Sequence, residues 1–171
     1  HRLNVLGYLD LSPFGEKYRD SANAGNLDLI AALEWIRDNI EGFGGDPENV
    51  TLFGQSGGGV KVWSLLQMPE ADGLFHKGII ESGVVDPDLL GDAEDGNGRE
   101  IVKAMLAELG LEEKDVDQLE TLPYDQLAQA YENAAPKVAQ KGEYVGNHPH
   151  KNQSYFGDAI KHGFREETKK I

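Results

Sequence analysis

The apolar residues of the chain fall into short, well-separated patterns. Between Asn26 and Glu41, Leu29, Leu33, Ile36 and Ile40 recur at i, i+4, i+7 and i+11, the single stripe of an amphipathic helix. Gly42 is its expected stop. After the turn-forming Gly44-Gly45-Asp46-Pro47, the run Val50-Thr51-Leu52-Phe53 is β-branched and aromatic, which predicts a buried strand ending at Gly54. Val60 to Gln67 predicts a second helix, closed before Pro69. Ile79-Ile80, flanked by Lys77-Gly78 and Ser82-Gly83, predicts another buried strand. Helix, strand, helix, strand in this order favours parallel pairing through a right-handed crossover, and so an α/β class.

The second half differs in texture. Asp86 to Gly98 is acidic and glycine-containing, which predicts a surface loop. Ile101, Val102, Met105, Leu106 and Leu109 then share a helical face that stops at Gly110, and Leu127, Ala128, Tyr131 and Ala135 form another that ends before Pro136. From Lys137 onward no periodicity stands out, and His148-Pro149-His150 reads as a loop.

Charge and composition remove whole classes of function. With 16 basic against 30 acidic residues among 171, the formal charge of −14 repels phosphate backbones and anionic lipid surfaces. Nucleic acid is therefore not the expected partner. The longest apolar runs fall well short of the roughly 18 to 20 residues of a membrane span. The absence of cysteine excludes a disulfide framework, a thiolate nucleophile and a thiolate metal site, and is compatible with a cytoplasmic setting. The chain opens on His1-Arg2-Leu3-Asn4 without a start methionine and reads as a piece of a longer protein.

The segment that carries chemistry is Gly54-Gln55-Ser56-Gly57-Gly58, a G-x-S-x-G sequence between the predicted strand at Val50 to Phe53 and a predicted helix beginning near Gly58. A serine on a sharp strand-to-helix turn is held in a strained conformation with its hydroxyl pushed out at the sheet edge, and flanking glycines permit the close approach of strand and helix. The backbone N–H of Gly57 is then placed to meet a developing oxyanion, aided by the positive end of the helix dipole. Two phosphate-binding readings fail on the residue at a required position. Gly54 to Gly59 has the P-loop glycine separation, but Val60 stands where the lysine is required; the dinucleotide fingerprint fails because Ser56 occupies the place of its second glycine.

The longer run from Phe43 through Gly58 resembles the active-serine signature of the type-B carboxylesterases, the family that includes the cholinesterases. Asn4 to Leu9, Asn23-Ala24-Gly25-Asn26-Leu27-Asp28, Gly73-Leu74-Phe75-His76-Lys77 and Glu81-Ser82-Gly83 are similar to the sequence around that site, most of all in bacterial para-nitrobenzyl-esterase-type enzymes. The resemblance implies an α/β-hydrolase fold in which residues 1–85 are a core segment with the nucleophile elbow. Residues 86–136 would then be an acidic loop and helical insertion, and 137–171 a loop-rich segment leading back toward the core sheet. It also implies a serine–histidine–acid mechanism with Ser56 as nucleophile, Gly57 as an oxyanion donor, and no metal or organic cofactor. The expected partner is a small uncharged ester. The acid and the histidine would follow Ile171 and the glycine-rich oxyanion loop would precede His1, so this chain is expected to be catalytically incomplete. A non-catalytic cholinesterase-like binding or adhesion protein, and a lipase or thioesterase of the same fold, are the rival readings.

Other residues invite plainer explanations. His76, His148, His150 and His162 have no acid placed before them in the order this fold uses, so each reads as a structural or surface residue. Glu81 reads as a capping or surface residue, and Ser82-Gly83 as a turn. Asp86, Asp88, Asp92, Glu94 and Asp95 do not have EF-hand spacing and read as a solvated loop. Asn49-Val50-Thr51 matches a glycosylation sequon but enters a predicted strand. Trp35 and Trp63 are expected in the core.

Overall fold

The computed structural model describes residues 1–84 and 96–170. Its elements are α1 (Asn4–Gly7), α2 (Ala24–Asn39), β1 (Thr51–Gln55), α3 (Gly57–Leu65), β2 (Lys77–Glu81), α4 (Arg99–Glu108), α5 (Tyr124–Ala139) and α6 (Ala159–His162). Among the described residues the chain forms two units, one of His1, 25–84 and 151–170, the other of 2–24 and 96–150. The loop residues Asp86, Asp88, Asp92, Glu94 and Asp95 lie outside the described residues.

In the first unit β1 and β2 pair in parallel, from Thr51 opposite Lys77 to Gln55 opposite Glu81, with α3 on the connection between them. The core on the helical side gathers Ile30 and Leu33 of α2, Leu65 of α3, and Met68, Ala71, Leu74, Phe75 and Tyr155. Leu29, Ile36 and Leu52 pack partly buried against it. Polar side chains are buried here as well, each with a partner, as burial requires. Asn26 Nδ2 donates to Ser64 Oγ at 2.8 Å, tying α2 to α3. Gln67 Nε2 donates to the carbonyls of Gly157 (3.0 Å) and Gly163 (2.9 Å), and Gln67 Oε1 accepts from the Arg165 N–H. The Arg165 guanidinium spans both carboxylate oxygens of Asp72, at 3.1 and 2.6 Å, and donates to the Met68 carbonyl. Residues 151–170 are thus held by polar anchors rather than by a periodic apolar face.

The second unit is a helical pair, α4 against α5. Ile101, Val102, Met105 and Leu106 meet Leu127, Ala130, Ala134 and Val138, with Val5, Leu9 and Tyr18 added from the N-terminal segment. Tyr144 is fully buried, its hydroxyl 3.1 Å from the Tyr8 carbonyl.

Four expectations need correction. The helix expected to close before Pro136 runs on to Ala139 with the proline inside it. The ring removes one backbone hydrogen bond, but Ala134 and Val138 lie on the same buried face as Leu127 and Ala130, and their packing carries the helix through. The helix over Asn26–Glu41 starts at Ala24, and its tail passes through a 3-10 turn (Ile40–Phe43) to a left-handed Gly44 at φ 83°, not to Gly42. The two strands are not buried on both faces. Strand alternation sends Leu52 toward the helices and Phe53 the other way, and Phe53 is 78% exposed beside Ile79 at 52%. Trp35 is half exposed, its ring centroid 5.9 Å from that of the exposed Phe43, because it sits off the buried stripe of Asn26, Ile30 and Leu33. Trp63 is partly buried and donates its indole N–H to Asp158 at 3.2 Å.

Candidate functional site

β1 stops at Gln55 and α3 starts at Gly57, so Ser56 alone makes the turn. It does so at φ 52° and ψ −120°, a backbone conformation that residues with a Cβ rarely adopt. Strain of this kind is worth on the order of 1–3 kcal/mol and persists only where surrounding contacts impose it. Two of these contacts are hydrogen bonds of Ser56 itself. Its N–H donates to the Glu81 carbonyl on β2 at 2.8 Å, and its carbonyl accepts from the Val60 N–H at 3.0 Å. The side chain is exposed and does not cap the helix it precedes. A hydroxyl is therefore presented at the carboxyl edge of a parallel sheet, beside the first turn of a helix whose free N–H groups begin at Gly57.

The glycines around the serine are not equivalent. A Cβ on Gly54 would stand 2.4 Å from the carbonyl carbon and oxygen of Gly58, and one on Gly59 would stand 2.9 Å from Gly83 Cα and 3.0 Å from the Gly54 oxygen. A Cβ on Gly57 or Gly58 would meet nothing within 4 Å. The close approach of strand and helix thus rests on Gly54 and Gly59. Gly59 lies outside the five-residue motif, and no pattern in the sequence marks it as the more constrained residue. Nothing in the sequence marks Ser82, the residue just after β2, as standing at φ 51°, nearly the angle of Ser56.

The histidines are engaged elsewhere. His76 Nδ1 accepts from the Val50 N–H at 3.2 Å while the backbone N–H of His76 donates to the Val50 carbonyl at 2.9 Å, which fixes the start of both strands. His148 contacts Asn147, the backbone of His150 bonds Asn23, and His162 lies 3.4 Å from Lys151 Nζ. The Glu81 side chain is exposed, and its main chain serves the turn. An apolar hollow of about 280 Å³ opens between α2, β1 and α3, lined by Leu29, Leu33, Leu52, Val62 and Leu65. Lys61 also borders it, and burial lowers the pKa of its ammonium. Ser56 does not line the hollow.

A serine on a strand-to-helix turn at the carboxyl edge of a parallel sheet has the form of the nucleophile elbow of α/β-hydrolases. The chain belongs to the carboxylesterase family, whose model matches residues 1–170. It is 43% identical over 141 residues to the para-nitrobenzyl esterase of Bacillus subtilis, a match covering 82% of this chain and 27% of that protein. Over 84 residues it is 49% identical to human cocaine esterase, covering 49% of this chain and 14% of that one. Among solved structures, an esterase from the anaerobe Clostridium hathewayi, described as able to hydrolyse aliphatic aromatic polyesters, superposes over the whole chain. The TM-score is 0.95 at 55% identity, and the match covers 34% of that protein. A thermophilic para-nitrobenzyl esterase matches 94% of the chain at TM-score 0.77 and 36% identity, covering 32% of that protein. The chain therefore spans about a third or less of the relatives it matches, and its architecture is a portion of the α/β-hydrolase fold.

Proposed function

We propose that the protein containing this chain is a serine carboxylic ester hydrolase in which Ser56 is the nucleophile. The carrying observation is the turn itself: a strained, exposed serine between a parallel strand and a helix, its hydroxyl unused as a helix cap. Ser56 Oγ attacks the ester carbonyl, its proton passes to a histidine, and the alcohol leaves with a proton returned from that histidine, giving an acyl-enzyme that water resolves. The Gly57 N–H stabilises the oxyanion. The histidine, its acid and a second oxyanion donor belong to parts of the protein beyond these 171 residues, and no metal or organic cofactor takes part.

Uncharged esters with an aromatic portion are the favoured substrates, supported by the names of the relatives that match most of this chain, a para-nitrobenzyl esterase and a polyester-hydrolysing esterase. A cytoplasmic setting is proposed too, supported by the absence of cysteine. In the full-length protein a fluorophosphonate probe should label Ser56, and Ser56→Ala should abolish both labelling and hydrolysis of para-nitrophenyl acetate. A folded full-length protein that stays unlabelled favours a binding or adhesion role. Comparison of soluble esters, lipid droplets and acyl thioesters separates the esterase from a lipase or thioesterase.

A further inference from the structure

Gly83 lies two residues past the end of β2 and reads in the sequence as a simple turn residue, but its missing side chain has a second consequence. Its φ is not in the left-handed region, so an alanine is conformationally permitted there. The obstacle is steric: a Cβ on Gly83 would lie 2.4 Å from both Cα and the carbonyl carbon of Gly59 and 2.7 Å from the Val60 nitrogen. Gly59 is confined on its own side too, less tightly, since a Cβ there would meet Gly83 Cα at 2.9 Å, the Gly54 oxygen at 3.0 Å and Ile80 Cγ2 at 3.2 Å. The first turn of α3 is therefore wedged between the end of β1 and the exit of β2. The same exit holds Ser56 through its N–H to the Glu81 carbonyl.

We infer that the exit turn of β2, acting through backbone contact of Gly83 with Gly59, is a positioning device for the reaction at Ser56, which sets the height of the first helical turn and with it the aim of the Gly57 N–H. The inference rests on the hydrolase reading above. Gly83 touches no reacting atom, so it is a positioning residue and not a catalytic one. Relieving a 2.4 Å contact to the roughly 3.4 Å of ordinary packing moves the helix start by about 1 Å. An oxyanion donor works only at about 2.7–3.1 Å, and a 1 Å misplacement can lower a rate by on the order of 100-fold.

The test is Gly83→Ala in the full-length protein, with para-nitrophenyl acetate as substrate and a fluorophosphonate to count active sites. The expected result is a cooperative melt, full labelling of Ser56 at a slower rate, kcat per labelled site down by roughly 10- to 100-fold, and KM changed by less than about threefold. Unchanged kcat in a folded variant, or a raised KM with unchanged kcat, overturns the inference. So does an equal loss in Gly42→Ala, where the added Cβ meets nothing within 4 Å. If Gly83→Ala does not melt cooperatively, Ile80→Ala decides, because it removes the side-chain support beneath Gly59 without a clash. It should lower kcat several-fold at constant KM, and unchanged kcat overturns the inference. A wild-type protein that neither labels nor hydrolyses sinks the hydrolase reading instead, which keeps the two failures distinct.

Discussion

Four neighbouring glycines give a direct test of which close contacts build the turn. Alanine at Gly54 or Gly59 puts a Cβ 2.4–3.0 Å from backbone atoms. Backbone cannot rotate away as a flexible side chain would, so a strand or helix end must shift. Overpacking of this kind costs about 1–3 kcal/mol, against which the lower entropy of an unfolded chain with alanine in place of glycine returns about 0.4–1 kcal/mol. The net expectation is a loss of about 1–2 kcal/mol for Gly54→Ala and Gly59→Ala. Gly57 and Gly58 lie in the first turn of α3 with open space where a Cβ would stand. There the exchange to alanine should raise stability by about 0.5–1 kcal/mol, the ordinary helix preference. The two pairs should separate by about 1.5–3 kcal/mol in urea unfolding of the full-length protein, with m unchanged. If Gly57→Ala or Gly58→Ala lowers the midpoint as far as Gly54→Ala or Gly59→Ala, the steric account of this turn is wrong.

Other perturbations reach different parts of the structure. Arg165 is 92% buried by its 8% exposure and holds Asp72, which is 40% exposed, so Arg165→Ala should destabilise by about 2–3 kcal/mol through lost charge-assisted hydrogen bonds, and Arg165→Lys should fail to restore the two-pronged contact. Thermal midpoints of both variants equal to wild type would contradict this. In the second unit the Tyr18 hydroxyl lies 2.5 Å from Glu120 Oε1 and 2.8 Å from Asp117 Oδ1, and burial, then these carboxylates, push its pKa up to about 12 from 10.0. A raised folded-state pKa favours the folded form below pH 10, a benefit lost as pH climbs from 10 to 12, so Tyr18→Phe should flatten that arm of the stability profile. Lys17 hydrogen-bonds the same carboxylates and holds both below their ordinary values of 3.8 and 4.5, so their contribution is present above that range and fades as pH falls below it, and Lys17→Met should weaken that acid dependence. The isolated 171-residue chain, with Phe53 and Ile79 exposed side by side on an uncovered sheet face, should aggregate and melt without cooperativity. It should also hydrolyse an activated ester barely faster than buffer, and a monomeric cooperative melt or a turnover of about 1 per second would refute the respective claim.

What the sequence made legible was the part governed by local rules. The stripe on α2, the β-branched run at Val50 and the punctuation around Ser56 place a strand, a turn and a helix in order. The start of α3 was legible to within a residue, near Gly58 for Gly57, from the turn signature alone; helix propensity could not supply it, because three consecutive glycines are poor helix formers and are held there by the Val60 to Ser56 hydrogen bond and the adjoining sheet. The roles of Asn26, Gln67 and Arg165 were not legible. Each is a polar residue buried by partners far along the chain, and hydrophobic periodicity cannot report such contacts. Gly83 escaped for a related reason, since its constraint exists only once β2 has paired with β1.

That dependence also explains how a serine can be so fully prepared within a third of a fold. Every contact shown to shape the turn comes from residues 54 to 83: Gly54 under Gly58, Gly59 against Gly83, and the Ser56 N–H on the Glu81 carbonyl. One strand, one helix and the next strand thus supply the contacts that surround Ser56 at its positive φ. Proton transfer has no such local solution, because a serine hydroxyl stays protonated near neutral pH and needs a base at hydrogen-bonding distance. In the proposed enzyme the shape of the nucleophile is therefore set by neighbours in sequence, while its reactivity is set by residues brought in from the rest of the protein. Substitutions at Gly54, Gly59 or Gly83 should accordingly change the geometry of Ser56 even where every proton-transfer group is intact, and a lowered kcat with an unshifted pH profile is the signature that separates the two.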